Sequence, residues 1–329
     1  SARWMSYSIA SLDNFNYDLL KLPIDQIFAE QNIGKTGFGL SEGTNPSDFY
    51  KGDNLLAAAY ASLSFNLAPK LFAVAGFRGE YNRQQLATSR FGGEPVTVDF
   101  PIFSPLPSLN LTYNLSDKQL FRFAYAYTVN RPEFRELAPF SYYDFNLDVN
   151  IKGNPNLKTP KIHNVDLRWE LYPNPTELLT FGVFYKEFIN PIEVFIVSAG
   201  SGVNFESGNA LKAQSYGAEL EARKSLEDVF ENKFLQKITV LANVSLIKSK
   251  VTFDELAAQT QDRNRPLLGQ SPYLVNAGLY YSNNEKGVQV NLLYNVFGKR
   301  IFTVGNSVNP TQYEMPRNVV DLNFTKKLG

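Results

Sequence analysis

The sequence predicts an all-β protein, an antiparallel up-and-down transmembrane β-barrel, and three observations support that fold class. Apolar and polar residues alternate with a period of two in segment after segment. Short turns and long polar connections alternate along the chain. No apolar run approaches the roughly 20 residues that a membrane-spanning helix needs. These observations favour a membrane crossing by strands over one by helices.

The two-residue alternation predicts about a dozen strands. Positions 121, 123, 125 and 127 are aromatic, whereas the positions between them carry Arg122 and two alanines. Apolar residues from Val165 to Leu171 alternate in the same way with charged ones. Such strict alternation is typical of a strand and not of a helix. In chain order, the predicted strands lie near 4–10, 55–67, 71–82, 108–115, 121–128, 164–171, 179–185, 215–223, 238–246, 273–281, 288–295 and 320–325.

The connections between these strands alternate in length. Short turns are predicted at 68–70, 116–118, 172–176 and 282–286, with a longer one at 225–236. Long polar connections are predicted at 12–53, 84–106, 130–161, 189–212, 250–270 and 298–317. Tight periplasmic turns and large extracellular loops are the arrangement of outer-membrane barrels. A soluble sandwich has no reason to keep this order.

The two faces of the predicted strands differ in chemistry. The polar face carries charges of both signs in mid-strand, which suits a hydrated or plug-filled lumen. The residues expected to face the lumen or plug are Arg78, Glu80, Arg122, Asp166, Arg168, Glu170, Glu219, Glu221 and Arg223. Aromatic residues collect near the strand ends on the other face, as in the girdles at membrane–water boundaries. The alternative is that they are ordinary strand aromatics facing a soluble core.

Composition excludes several functional classes. The chain has no cysteine and a single histidine, His163, which excludes thiol catalysis and metal sites built from cysteine or from several histidines. Its 32 basic and 32 acidic residues balance, which gives no indication of nucleic-acid binding. No nucleophile elbow, phosphate-binding loop or dinucleotide fingerprint is present. We therefore expect neither an enzyme nor a bound metal or cofactor.

One long connection carries a recognisable pattern. The segment Thr128–Phe145 contains Arg131-Pro132 directly after a strand that ends in Tyr-Ala-Tyr, and Gly153-Asn-Pro-Asn-Leu-Lys-Thr159 leads into the next strand. This resembles TonB-dependent receptors, particularly those of Bacteroidota, in which a Gly-Asn-Pro-x-Leu-Lys-Pro-Glu-like motif opens the returning strand. Thr159-Pro160 replaces the usual Pro-Glu. Segments 22–28, 42–45 and 215–221 are similar to the same family.

The resemblance implies a fold and a function. Such receptors have a barrel of about 22 strands around an N-terminal plug, bind a scarce extracellular ligand, and import it to the periplasm with energy delivered by TonB. We therefore expect residues 1–329 to be a single domain, a partial barrel of about 12 of the 22 strands without its plug. The expected partners are outer-membrane lipid, the TonB complex through the missing plug, and an iron chelate, cobalamin, glycan or peptide ligand.

The loop at 130–161 is the richest candidate for ligand contact, because aromatic rings beside arginine suit a glycan or an anionic chelate. Its candidate residues are Arg131, Arg135, Tyr142, Tyr143 and Asp144. The alternative is that these side chains brace the loop against its neighbours. Two other functions stay open at this point, namely a passive porin or adhesin-like barrel and a soluble all-β ligand-binding module.

Overall fold

Eleven strands of the computed structural model form one antiparallel sheet, and the model describes residues 5–42, 49–90, 92–144, 149–199, 202–254, 265–306 and 308–328. In spatial order the sheet consists of β3 (Tyr50–Ala68), β4 (Leu71–Ser89), β5 (Pro95–Ser116), β6 (Gln119–Val129), β9 (Lys161–Leu171), β10 (Leu178–Ile189), β13 (Lys212–Ser225), β14 (Ile238–Thr252), β15 (Tyr273–Asn283), β16 (Val288–Phe297) and β19 (Asn318–Lys326). Spatial order follows chain order, which confirms the predicted up-and-down antiparallel fold.

The remaining strands form three small sheets. They are β1 (Met5–Ile9) with β2 (Phe38–Glu42), then β7 (Ser141–Asp144), β8 (Val149–Lys152), β11 (Ile192–Ala199) and β12 (Gly202–Asn209) together, and β17 (Arg300–Thr303) with β18 (Gln312–Glu314). Two short α-helices are α1 (Ile24–Ile27) and α2 (Phe134–Leu137). The described parts of the predicted connections at 130–161, 189–212 and 298–317 are therefore structured.

The predicted strand near 4–10 exists, but its assignment to the barrel is wrong. β1 pairs with β2 in a separate two-stranded sheet. The reason is local packing, because the rings of Phe15 and Phe28 both lie against Phe38, and Tyr7 stacks on Phe28 at 4.4 Å between centroids. This aromatic cluster gives the start of the chain a small core of its own.

The interpretation of 84–106 as a long connection is also wrong. β4 continues to Ser89 and β5 starts at Pro95, so only 90–94 connect them. This part of β5 contains Pro101, Pro105 and Pro107, and proline within a strand is confined to positions where no N–H is needed for a neighbouring strand. In β5 the N–H groups at even positions point to the β4 side, as the N–H of Asn114 does. The three prolines are at odd positions. The proline nitrogens therefore point away from β4, to the side of β6. On that side, β5 pairs with β6 only from Ser108 onwards.

The outer face of the sheet is apolar and exposed. Phe77, Phe181 and Leu279 are 52%, 48% and 46% exposed, although all three lie on strands that have a neighbour on each side. An exposed apolar surface of this extent is costly in water and is expected where lipid covers it. The soluble-module alternative is therefore wrong. Within the described ranges, no helix is long and apolar enough to cross a membrane.

The inner face is polar, and register aligns its side chains across the strands. Arg122 of β6 lies opposite Arg168 of β9, and Glu219 of β13 lies opposite Ser245 of β14. Further along the sheet, Asn295 donates to Asn276 at 2.6 Å across β15 and β16. Because side chains alternate between faces, an apolar outside and a polar inside follow directly from the two-residue pattern.

The connections at one end of the sheet are mostly short, and most of those at the other end are long. At the short end, two residues separate Ala68 of β3 from Leu71 of β4, and two residues separate Ser116 of β5 from Gln119 of β6. The segments 130–160, 190–211, 253–272 and 298–317 all emerge at the opposite end. Apart from the short turn 90–94, the connections at this end are long, and we call it the loop end.

Candidate functional site

The segment after β6 folds back onto the inner face of the sheet at its loop end. We call it the cap, and it comprises residues 130–144 and 149–160. Leu137 and Leu157 of the cap are fully buried against Leu86 of β4, together with Ala138. Leu86 occupies the inner face, which is polar lower down, and becomes part of a core here because the cap covers it. The cap is therefore a packed structure supported by the barrel wall.

A charged cluster joins the cap to β4. Arg131 donates to Glu80 at 2.5 Å, and Arg78 donates to the other oxygen of the same carboxylate at 2.6 Å. The Glu80 side chain is only 10% exposed, so both of its oxygens are satisfied where water has little access. Next to this cluster, Gln84 donates to the carbonyl of Pro132 at 2.9 Å. The Arg-Pro pair of the sequence thus attaches the start of the cap to the wall.

The Gly-Asn-Pro motif closes the other end of the cap. A Cβ on Gly153 would lie 2.2 Å from the carbonyl oxygen of Ala138 and 2.6 Å from that of Arg135. Only glycine permits this approach, because both oxygens belong to backbone. The N–H of Asn154 donates to the Glu136 carbonyl at 2.6 Å, and the Asn154 side chain accepts from Asn156 at 2.9 Å. The Gly-Asn-Pro motif therefore holds the returning chain against α2.

Of the other candidate ligand residues, Arg135 and Tyr142 contact each other within the cap, and Asp144 lies at its edge. The guanidinium of Arg135 lies over the ring of Tyr142, 4.9 Å from its centroid. Burial raises the pKa of Tyr142, and burial also raises the pKa of Glu136 nearby. Asp144 ends β7 opposite Val149. The side chain of Tyr143 lies outside the described part of the chain.

A cleft of about 900 Å³ opens beside the cap, between it and the β11–β12 hairpin. Its charged groups are Arg90, Lys152 and Glu206, and Arg90 also contacts Glu94 at 3.4 Å. The remaining lining combines amides with apolar and backbone groups, namely Pro139, Phe140, Ser141, Gly153, Asn154, Pro155, Asn156 and Asn204. None of the five candidate residues lines it.

Sequence reasoning therefore missed the residues of this cleft. Lys152 and Asn154 lie at the start of the Gly-Asn-Pro motif, and that position was the one available signal. Arg90, Asn204 and Glu206 come from two other connections. Their proximity depends on β8 pairing in parallel with β12, which places Lys152 opposite Glu206. No spacing along the chain reveals such a pairing.

The predicted lumen charges all lie on the inner face, where several are paired. Arg122 donates to Glu170 at 3.0 Å, and Tyr172 donates to the same carboxylate at 2.8 Å. Glu219 accepts from Ser245 at 3.4 Å. The other members of this inner-face set are Asp166, Arg168, Glu221 and Arg223. Their expected contact with a plug or substrate stays a prediction.

The β11–β12 hairpin is fixed by an enclosed ion pair. Arg265 donates to Glu193 at 2.7 Å, and the two side chains are 2% and 4% exposed. The guanidinium also lies 5.0 Å from the ring centroid of Phe253. Burial raises the pKa of Glu193, although Arg265 opposes this shift. Among the described residues, no group of three or more acidic or histidine side chains could hold a metal ion.

Comparisons with known proteins agree with this architecture. The sequence profile of the outer membrane protein beta-barrel family matches residues 29–328. The structure resembles the copper transporter OprC, with a TM-score of 0.63, 16% identity, and coverage of 89% of this chain and 41% of that one. It also resembles the ferric citrate transporter FecA, with a TM-score of 0.62, 13% identity, and coverage of 85% and 38%.

A third match is the ferric yersiniabactin uptake receptor FyuA from Yersinia pestis, with a TM-score of 0.58, 17% identity, and coverage of 87% and 40%. At these identities the likeness concerns the fold. The chain spans about two fifths of the length of these three proteins. No curated protein sequence matches the chain.

Proposed function

The chain belongs to the outer membrane protein beta-barrel family, and from this premise we propose that it is the barrel part of a TonB-dependent receptor. The barrel lies in the outer membrane of a Gram-negative bacterium. In the proposed function, the loop end binds a scarce extracellular ligand, which then passes along the polar inner face to the periplasm. TonB would act through a plug carried by another part of the protein, and no catalysis is involved.

The observation that carries this proposal is the cleft beside the cap. It lies at the end of the sheet with the long connections, which is the extracellular end in outer-membrane barrels. Two cations, one carboxylate and three asparagine amides line it together with apolar groups. Ligand sites are concave and contain a small number of convergent polar groups, and this cleft is lined mainly by such groups. The lining suits a polyhydroxylated or anionic ligand of moderate size.

The structural neighbours support import over passive diffusion. OprC is named a copper transporter, FecA a ferric citrate transporter and FyuA a ferric yersiniabactin uptake receptor. Arg131 and Arg135 remain part of the proposal as residues that shape the cap next to the cleft. For this chain the proposed ligands are an iron chelate, cobalamin, a glycan or a peptide.

The test is an uptake assay with the full-length protein in cells that have or lack functional TonB. A panel of labelled ferric chelates, cobalamin, glycans and peptides is offered, and both surface binding and internal label are measured. We expect one ligand class to bind in both strains and to accumulate only with TonB. Equal accumulation in both strains would instead establish a passive pore.

The cleft is tested separately by Arg90→Ala. Removal of a charged hydrogen-bond donor from a ligand site weakens binding by about tenfold or more. Arg83→Ala is the matched control, because Arg83 lies on the outer face of β4, the strand that leads to Arg90, and pairs with Asp99 at 2.5 Å. Unchanged surface binding in Arg90→Ala would exclude the cleft while leaving TonB-dependent import intact.

A further inference from the structure

A second cleft, of about 370 Å³, lies at the loop end next to β14, β17 and β18. Its lining is strongly basic and includes Lys248, Lys250, Lys299 and Arg300. Tyr313 and Ile301 add apolar surface, and Arg265 reaches it from the enclosed ion pair with Glu193. Among the described residues that line it, none is acidic. This composition differs from that of the cleft beside the cap, which contains a carboxylate.

The register of the sheet places the two β14 lysines of this cleft on the outer face. In β14 the exposed apolar face is formed by even positions up to Leu246, which is 58% exposed. Lys248 and Lys250 continue the same even series, and both are exposed. They therefore point to the side of the barrel that faces lipid lower down, and not into the lumen.

The same register fixes the height of the lysines relative to the membrane. Lys248 lies opposite Tyr216 of β13, and Tyr216 lies opposite Tyr185 of β10. The two tyrosines are half-exposed on the outer face and mark the aromatic boundary between lipid and water. Lys250 stands one outward-facing position higher, about 7 Å along the strand. Lysines at and just above this boundary are level with lipid headgroups.

The cations of the cleft exceed its counter-charges. Arg300 pairs with Glu314 at 2.6 Å, and Lys299 lies over the Tyr313 ring at 3.9 Å from its centroid. Within the ranges that the structure describes, no carboxylate lies within salt-bridge distance of Lys248 or Lys250. Two adjacent lysines thus present unneutralised charge to the headgroup layer.

We propose that this cleft binds the phosphate of a lipid headgroup in the outer leaflet. Lys248 and Lys250 supply charge-assisted hydrogen bonds to the phosphate oxygens. Lys299 and Arg300 close the cleft from above. The acyl chains lie against Leu246 and the neighbouring apolar outer face, and the ring of Tyr313 contacts the headgroup. The site would fix a lipid to the wall outside the ligand pathway, and it is independent of the imported ligand.

The test compares the full-length protein with a Lys248→Ala/Lys250→Ala variant in detergent micelles. The probe is lipid A with both phosphates, titrated against the same lipid stripped of phosphate, with binding followed by native mass spectrometry. Near a membrane surface each lysine contributes about 1 kcal/mol, so the double variant is expected to bind about thirtyfold more weakly. The control is Lys118→Ala/Lys233→Ala, which removes two exposed lysines at the short-turn end.

Each outcome bears on the proposal. Preference of the wild-type protein for the phosphorylated lipid, lost in the double variant and kept in the control, supports it. Equal binding by all three proteins, or equal binding of both lipids, overturns it. Displacement of the lipid by submillimolar inorganic phosphate would overturn it in favour of a free-phosphate site. Heat-dependent gel mobility of the folded barrel confirms that the variants are folded.

Discussion

The cap and the β11–β12 hairpin both stand over the loop end, but they are fixed in different ways. The cap is attached to the barrel wall, through the Glu80–Arg131 ion pair and through the core around Leu86. The hairpin is attached to other loops, through Glu193 and Arg265. Asn209 then joins the two, because its side chain accepts from the Lys158 N–H at 2.7 Å and donates to the Lys158 carbonyl.

This difference indicates how a disturbance spreads. A strand of a continuous sheet cannot move without breaking its ladder, so a change at the cap anchor stays near the cap. The hairpin lies outside the ladder of the barrel wall and is joined to the cap by a two-residue pairing of β12 with β8, so loss of its ion-pair anchor frees residues on both sides of the ion pair. We therefore expect the hairpin to be the element that rearranges more readily when a ligand binds.

The largest effect is expected for Arg265→Met, which leaves the Glu193 carboxylate buried and unpaired. Loss of one partner of an enclosed ion pair costs about 3–5 kcal/mol. Hydrogen exchange should therefore rise across 192–209 and 265–272, while the cap changes little. If exchange rises no more in the hairpin than in the cap, the comparison between the two elements is wrong.

The pH dependence of Arg265→Met sharpens the same point. Burial raises the pKa of Glu193, so the folded hairpin keeps this proton to a higher pH than the unfolded chain does. Hairpin stability in the variant should therefore be greater at acidic pH and fall as pH rises through the raised pKa. Glu193→Gln combined with Arg265→Met removes the titrating group and should abolish the dependence, as measured by hydrogen exchange at several pH values.

The next effect is expected for Gly153→Ala, which places a Cβ against two backbone carbonyls of the cap. Overpacking of this kind costs about 1–3 kcal/mol. Limited proteolysis of intact cells should then cut within 130–160 faster than in wild type. The matched control is Gly182→Ala, where the nearest atoms to a new Cβ are 3.8 Å away. Equal cleavage of both variants would contradict the steric role of Gly153.

A smaller effect is expected for Arg131→Met. Glu80 retains its hydrogen bond to Arg78 in this variant, so the loss is one charge-assisted bond of about 1.5–3 kcal/mol, reduced by the remaining partner. Hydrogen exchange should rise at 130–137 and stay unchanged in β11 and β12. Increased exchange in the hairpin as well would mean that the wall does not isolate the cap.

The smallest effect is expected for Arg135→Ala, which removes the contact with the Tyr142 ring. A partly exposed cation–π contact contributes about 0.5–1 kcal/mol. Cap exchange should rise only slightly, whereas ligand binding by the full-length protein should fall clearly if Arg135 also contacts ligand. Arg135→Lys keeps the charge and separates loss of charge from loss of the planar group. A large rise in exchange would assign Arg135 a structural role alone.

The sequence predicted the middle of the strands well and their upper ends poorly. Within the membrane, the apolar face of an alternating strand is always the outer face, because lipid requires apolar residues there. Above it the pattern reverses, and Val98 of β5 packs on the inner side against the cap core. Length and polarity therefore indicated a loop where a strand continues above the lipid.

The candidate site was predicted less well than the fold. Arg131 and Gly153 belong to motifs that are visible in the sequence, but their contacts explain how the cap is held. The cleft depends on contacts between separate connections, such as the parallel pairing of Lys152 with Glu206. Contacts of this kind arise from tertiary packing, and neither periodicity nor residue type encodes them locally.

The prolines of β5 affect whether neighbouring molecules can associate through strand pairing. The upper part of this strand is an exposed edge, and an edge with free N–H groups can recruit a strand from an adjacent molecule. At Pro95, Pro101, Pro105 and Pro107 the edge has no N–H to offer. Partly assembled or neighbouring copies therefore find no continuous ladder to extend, and the tall rim of the sheet resists aggregation without any covering element.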